Sequence, residues 1–151
     1  MINSKTELRA IKANLLRSNT RNVFAEDDDD QFIQDVPAVI KVAEEIEARR
    51  VALGKTSGFE RLYHRVTRLY FGGMFRHFKA LWPRLRPGAR LAYVVGDQMS
   101  YFRVPIRTAQ LLADVAIKAG YQVEGIELWR TRRATATKMD LDENVLLLRR
   151  P

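Results

Sequence analysis

Arg90-Leu91-Ala92-Tyr93-Val94-Val95-Gly96 and Tyr121-Gln122-Val123-Glu124-Gly125-Ile126-Glu127-Leu128-Trp129 are the two stretches on which the fold turns. The first is an almost unbroken apolar run of strand length, as expected of a strand covered on both faces. In the second the apolar phase runs Tyr121, Val123, then slips to Ile126 and Leu128, which predicts a bulge at Gly125. Between them Pro105 opens a helix whose Ala109, Leu112, Ala113 and Ala116 recur at helical spacing, and Gly120 permits a left-handed cap at its end. Strand, helix, strand over 90–129 reads as a right-handed crossover, which places strands near 90–96 and 121–129 parallel in one sheet. Asn144 to Leu148 adds a last strand.

Upstream the pattern turns helical. Leu8, Ile11, Leu15 and Leu16 fit a short amphipathic helix over Lys5–Arg17, followed by the turn formers Ser18 to Asn22. The like charges of Glu26-Asp27-Asp28-Asp29-Asp30 repel one another and predict an exposed loop. Consecutive carboxylates on such a loop preset no coordination geometry, so no metal site is expected there. Pro37 starts a helix carrying Val39, Ile40, Ala43, Ile46 and Val51, closed by Gly54. The letters Gly54-Lys55-Thr56 do not make a P-loop, because the segment before them reads as helix and arginine stands where the motif needs its first glycine. From Phe59 to about Leu81, Leu62, Val66, Leu69, Phe71, Phe75, Phe78 and Leu81 mark a long helix that Pro83 and Pro87-Gly88 end. Its other face carries Arg61, Arg65, Arg68, Gly72, Arg76 and Lys79 as one stripe roughly 27 Å long. Gly72 and Gly73 interrupt it, either to let another backbone approach or to mark a kink. His64 and His77 are off a common face and make no metal pair.

Composition narrows the classes. A chain of 151 residues is about one domain, read as an N-terminal helical region with the acidic loop (1–58) and an α/β part (59–151) in one structural unit. With no cysteine there is no disulfide, thiolate zinc site or cysteine nucleophile. No apolar run approaches the ~20 residues that span a bilayer, and no signal-peptide core follows Met1, so a cytoplasmic protein is expected. The net charge of +8 is concentrated: residues 55–90 hold nine basic side chains against one acid, Glu60, and the remainder balances. That distribution suits either a polyanion-binding face or a well-solvated helix.

In open parallel sheets ligands bind at the carboxyl ends of the strands. Here that rim is built by 97–104 and 130–142. The first loop offers Asp97, Ser100, Tyr101, Phe102 and Arg103; the second offers Arg130, Arg132, Arg133, Thr135, Thr137 and Lys138. Together they suit an anionic ligand. Asp97 fits two roles, holding a substrate amine or a neighbouring arginine, or satisfying loop amides. Tyr101 and Phe102 suit stacking on an extruded base or burial.

Three longer words carry a resemblance: Leu-Arg-Pro-Gly-Ala-Arg-Leu-Ala-Tyr-Val-Val-Gly-Asp (85–97), Tyr-Phe-Gly-Gly-Met (70–74) and Arg-Thr-Arg-Arg-Ala-Thr-Ala-Thr-Lys (130–138). With Leu-Leu-Arg-Ser-Asn-Thr-Arg-Asn-Val (15–23) and Gly-Lys-Thr-Ser-Gly-Phe-Glu (54–60), they resemble the C-terminal half of site-specific DNA methyltransferases of the amino-methylating, S-adenosylmethionine-dependent class, enzymes of restriction-modification. The resemblance implies an incomplete doubly wound, Rossmann-like α/β sheet whose last strand, 144–148, is antiparallel and lies beside 121–129. It implies methyl transfer to the exocyclic amine of adenine or cytosine in a flipped nucleotide.

The chain departs from that family in lacking its Gly-rich cofactor turn and its Pro-Pro-containing catalytic tetrapeptide, so no catalytic residue is assigned. The expectation is therefore a C-terminal portion of a split or truncated DNA methyltransferase. It would face DNA and hold S-adenosylmethionine only where a second polypeptide, the N-terminal half, supplies the missing strands. The alternative is a non-catalytic nucleic-acid-binding or regulatory module derived from such a half. In either case Arg61, Arg65, Arg68, Arg76, Lys79, Arg130, Arg132 and Lys138 are the candidate DNA contacts, with those on the rim preferred.

Overall fold

The computed structural model describes residues 4–135 and 138–151. Ser4 opens helix α1 (Lys5–Ala13), its side chain accepting a hydrogen bond from the Glu7 amide at 3.1 Å. Leu8 and Ile11 of α1, and Leu15 beyond it, stay exposed. Pro37, its φ preset for a first turn, starts α2 (Pro37–Ala52), which buries Val39, Ala43 and Ile46. The long helix expected from Phe59 begins with a 3-10 turn, Glu60–Leu62, and becomes α3 at Tyr63–Leu81. Strand β1 (Arg90–Gly96), α4 (Thr108–Ala119), β2 (Gln122–Arg133) and β3 (Asp140–Arg149) complete the order. Gly120, at φ +107°, closes α4 in the left-handed region, as its sequence predicts. Among the described residues no helix is long and apolar enough to cross a membrane.

The sheet overturns the doubly wound expectation. Its order is β1-β3-β2 and both pairings are antiparallel, so 90–96 and 121–129 are not a parallel pair. The reason lies in β3. Val145-Leu146-Leu147-Leu148 is the most apolar strand segment, and the central position pairs both its edges while burying Leu146 and Leu148 completely. β2 ends at Arg133 and β3 begins at Asp140, so the two strands are close in sequence and pair at small entropic cost. The slot that a parallel β1–β2 pair would close is thereby filled. The bulge expected at Gly125 is present as a register shift between Val123 and Gly125, and a second shift falls between Leu128 and Arg130.

Helices α3 and α4 cover one face of the sheet. Phe78 of α3 meets Tyr93 of β1 edge-on at 5.4 Å and Tyr121 at 5.6 Å, and the Tyr121 hydroxyl donates to the Phe78 carbonyl at 2.9 Å. Directly paired residues share a face, so Ala92 with Leu147, and Val94 with Val145, lie on the opposite side. Val94 there is 64% exposed.

The acidic run is not the exposed loop that its charge predicts. Residues Asp29–Ile33 form a 3-10 turn against α3, and Asp29 is only 7% exposed. Glycine makes this possible: a Cβ on Gly72 would stand 1.8 Å from the Asp29 carbonyl oxygen. Of the two readings of the glycines, close backbone approach is therefore the one realised. The charges are met by arginines. Arg17 and Asp27 pair at 2.7 Å, each less than a tenth exposed; Arg76 reaches Asp29 at 3.2 Å; Arg65 donates to the carbonyls of Phe24, Ala25 and Asp27. Burial tends to raise the Asp27 carboxyl, but the Arg17 guanidinium and the Phe24 amide hold it below the ordinary range.

Gly72→Ala should lower unfolding stability in urea by about 3 kcal/mol, because the added methyl meets backbone that cannot yield. Gly73→Ala should stay within about 1 kcal/mol of wild type, since its nearest neighbour is the movable Leu16 side chain and alanine favours the helix. A stabilised Gly72→Ala protein would contradict the packing. Asp27→Asn should cost about 3 kcal/mol at neutral pH by leaving Arg17 buried without its partner. The Asp27 pKa is depressed in the folded state, so this contribution is complete above the ordinary value of 3.8 and disappears as pH falls through the folded one. Acid titration of the unfolding midpoint should show wild type and variant converging there.

Candidate functional site

Strand β1 ends at Gly96, and Asp97 turns the chain toward α4. The Asp97 amide donates to the Asp142 carbonyl at 2.8 Å, tying the turn to β3. Gln98 and Ile106 exchange backbone hydrogen bonds of 3.1 and 2.8 Å, which closes the loop between them. Within the loop Phe102 and Arg103 take left-handed φ values of 53° and 61°, conformations unusual for residues with a Cβ. The rings hold them: Tyr101 stacks on Tyr63 of α3 with centroids 4.3 Å apart, and Phe102 tilts against the same ring at 5.2 Å.

Between this loop, the end of β1 and the first half of α3 lies a cavity of about 460 Å³. Val66, Thr67, Tyr70 and Phe71 form its α3 wall, Val95 to Gln98 its floor, and Tyr101, Ile106 and Thr108 its loop side; Arg132 and Glu143 stand at its mouth with Ser18 opposite. Its polar groups are largely committed. The Asp97 carboxylate accepts from the Thr108 amide at 2.9 Å, at the start of α4 where the helix dipole favours an anion. The Thr108 hydroxyl donates to the Gly96 carbonyl at 2.8 Å. Burial pushes the Asp97 carboxyl up, opposed by the Thr108 amide and by Arg107. Of its two sequence roles, Asp97 thus performs the one of satisfying loop amides. Glu143 binds Arg130 at 2.5 Å and Arg132 at 3.1 Å, and the Arg130 hydrogen bond holds its carboxyl below the usual range. Arg132 also donates to the Asp97 carbonyl at 3.2 Å.

The cavity therefore brings Asp97, Tyr101 and Arg132 together from the expected set. Ser100 lies outside it, its hydroxyl donating to the Gln98 side chain at 3.2 Å, and Phe102, Arg103 and Thr135 do not line it. Thr137 falls outside the described residues. Of the candidate DNA contacts, Arg65, Arg76, Arg130 and Arg132 have protein partners, while Arg68 is half-buried with its Nε unpaired. Arg61, Lys79 and Lys138 are exposed. Sequence reasoning missed Thr67 and Tyr70. Their signal was the spacing Tyr63, Thr67, Tyr70, which puts one polar aromatic ridge on α3.

Chemically the arrangement is one for binding. Among the described residues neither histidine reaches the cavity: His64 faces Glu47 at 3.9 Å and His77 meets the Tyr93 hydroxyl at 2.9 Å. The Thr67 and Thr108 hydroxyls that line the cavity donate to backbone carbonyls, not to a base. The cavity also does not fit a methyl donor, since both of its carboxylates are engaged and the one glycine in its wall, Gly96, is part of a strand, not of a glycine-rich turn. No group of metal-ligating side chains is present among the described residues.

Asp97→Ala should destabilise the protein by about 2 kcal/mol, because the buried Thr108 amide loses its acceptor. Asp97→Asn keeps an acceptor and removes a charge whose burial is unfavourable, so its thermal midpoint at neutral pH should equal or exceed that of wild type. A large loss in Asp97→Asn would show that the carboxylate charge has another partner. Comparison of the chain with family models, curated proteins and solved structures finds no match.

Proposed function

We propose that this chain is the DNA-facing portion of an S-adenosylmethionine-dependent DNA methyltransferase of the amino-methylating class, completed by a second polypeptide that holds the methyl donor. The sequence words at 15–23, 54–60, 70–74, 85–97 and 130–138 support the class. One structural observation supports the division of labour. Among the described residues strand β1 is hydrogen-bonded on one edge only, and its other edge, Leu91 to Gly96, carries no proline, no lysine and no bulge. That edge runs into the cavity at Gly96–Gln98. A strand contributed by the partner alongside β1 would end beside the cavity, so that a donor on the partner would meet a base held between Tyr70, Gln98 and Tyr101. The donor supplies the methyl group; the residues of this chain bind and orient the nucleotide. The setting proposed is the cytoplasm, where DNA and donor are both at hand.

A second reading, a nucleic-acid-binding or regulatory module without catalysis, is favoured by the engaged state of Asp97 and Glu143. Calorimetric titration separates the two. The chain alone should take up no S-adenosylmethionine, and co-expression with the N-terminal half of an amino-methyltransferase should yield transfer of labelled methyl groups to DNA. Transfer that stays absent in the joined protein, with DNA binding retained, would leave the module. Stoichiometric donor binding by the chain alone would overturn the proposal.

A further inference from the structure

Arg65 and Arg76 of the α3 stripe and Arg130 and Arg132 of the rim have protein partners, and a separate group of basic side chains lies elsewhere. At the end of the sheet remote from the cavity, the turn from α3 into β1 carries Arg84, Arg86 and Arg90, and β3 ends with Arg149 and Arg150. Arg90 and Arg149 are directly paired across the β1–β3 ladder, so two like charges share one face at about 5 Å between backbones. Glu124, from the β2 bulge, reaches Arg90 at 2.7 Å and leaves Arg149 without a carboxylate among the described residues. Arg84 and Arg86 are exposed and likewise lack one.

The scaffold under these side chains is built. Arg150 donates to the carbonyls of Trp82 and Leu85 and lies over the Trp82 ring at 5.0 Å; Gly88 donates to the Arg150 carbonyl at 2.7 Å, and Arg150 donates back to Ala89 at 2.8 Å. Gly88 has φ +79°, and the Arg149 guanidinium stands 3.7 Å from the position a Cβ would take there, so the guanidinium rests against the turn. Arg90 and Arg149 thus stand as directly paired positions on this end of the sheet, and Arg84 and Arg86 lie exposed on the adjoining turn.

We propose that Arg84, Arg86, Arg90 and Arg149 form a surface that binds nucleic-acid phosphates. It rests on the proposed function for the class of ligand and places the backbone contacts at the opposite end of β1 from the cavity. Guanidiniums match phosphate oxygens in a bidentate fork, which lysines do not. No large apolar side chain is exposed between Trp82 and Arg90 or after β3, so the patch lacks the anchors that a membrane surface or a protein interface requires. Contact with phosphates also relieves the Arg90–Arg149 opposition.

The test is the anisotropy of a fluorescein-labelled DNA duplex titrated with the full chain over a series of chloride concentrations. In the triple variant Arg84→Gln/Arg86→Gln/Arg149→Gln, the slope of log affinity against log salt should fall by about one unit per arginine. The control Lys41→Gln/Arg49→Gln, exposed on α2 away from both the cavity and this patch, should leave the slope unchanged. The thermal midpoint of the triple variant should hold or rise, because a like-charge opposition is removed. DNA binding with an unchanged slope in the triple variant overturns this surface and leaves the proposed function standing. Loss of binding in the triple variant together with failed methylation in the joined protein upholds the surface and overturns the methyltransferase reading. Stabilisation by inorganic phosphate at fixed ionic strength, without DNA binding, would assign a free-anion site and overturn the inference.

Discussion

The backbone of the acidic segment lies against α3 at a point where any residue but glycine would place a carbon within the Asp29 carbonyl. Around that contact the charges sort themselves. The aspartates cannot disperse into solvent once Asp29 is buried, so Arg17, Arg65 and Arg76 converge on the segment from both sides. The same contact carries Ile33 and Val36 into the core beside Phe71 and Met74. Charge repulsion within the run and attraction from α3 oppose each other, and the second wins because the pairing groups are partly dehydrated, where opposite charges interact more strongly than in water. Two members of the stripe, Arg65 and Arg76, thereby act as a clamp on the acidic segment.

The second constraint is the position of β3. An apolar strand with two edges to satisfy is best placed centrally, and here it separates the strands on either side of the α4 crossover. The helices then cover one face only. On the other face Ala92 and Val94 are exposed, and one edge of β1 pairs with no strand among the described residues. Both features are uncommon in an isolated domain, in which edges are ordinarily protected. They belong to the same strand whose end forms the cavity.

The cavity itself combines hydrogen-bonding capacity with little reactivity. Its carboxylates have been given structural work, Asp97 at the start of α4 and Glu143 between two arginines. Its aromatic wall is braced, with Tyr101 stacked on Tyr63 and the loop held by two left-handed residues. Such a site offers aromatic and hydrogen-bonding surface, with its carboxylates already bound by the protein's own groups.

What the sequence by itself determined is local. Periodicity predicted helices from Pro37 to Gly54, from Phe59 to about Leu81 and from Pro105 to Gly120, which the structure has at Pro37–Ala52, Tyr63–Leu81 and Thr108–Ala119, and a phase slip revealed the bulge at Gly125. Each of these depends on neighbours a few residues away, which a single chain displays openly. Asp97 and Tyr101, expected on the loop after β1, line the cavity with Arg132, which the sequence placed on a loop and the structure places in β2. Only the tertiary structure decided the rest. Strand order depends on which edges are left unpaired once all three strands compete, and composition does not reveal that β3 displaces the crossover pair. The fate of the arginine stripe depended on whether Asp29 would be buried, which followed from two glycines on another element. Tyr70 and Thr67 entered the site because α3 crosses the end of β1, a distance in space with no counterpart along the chain.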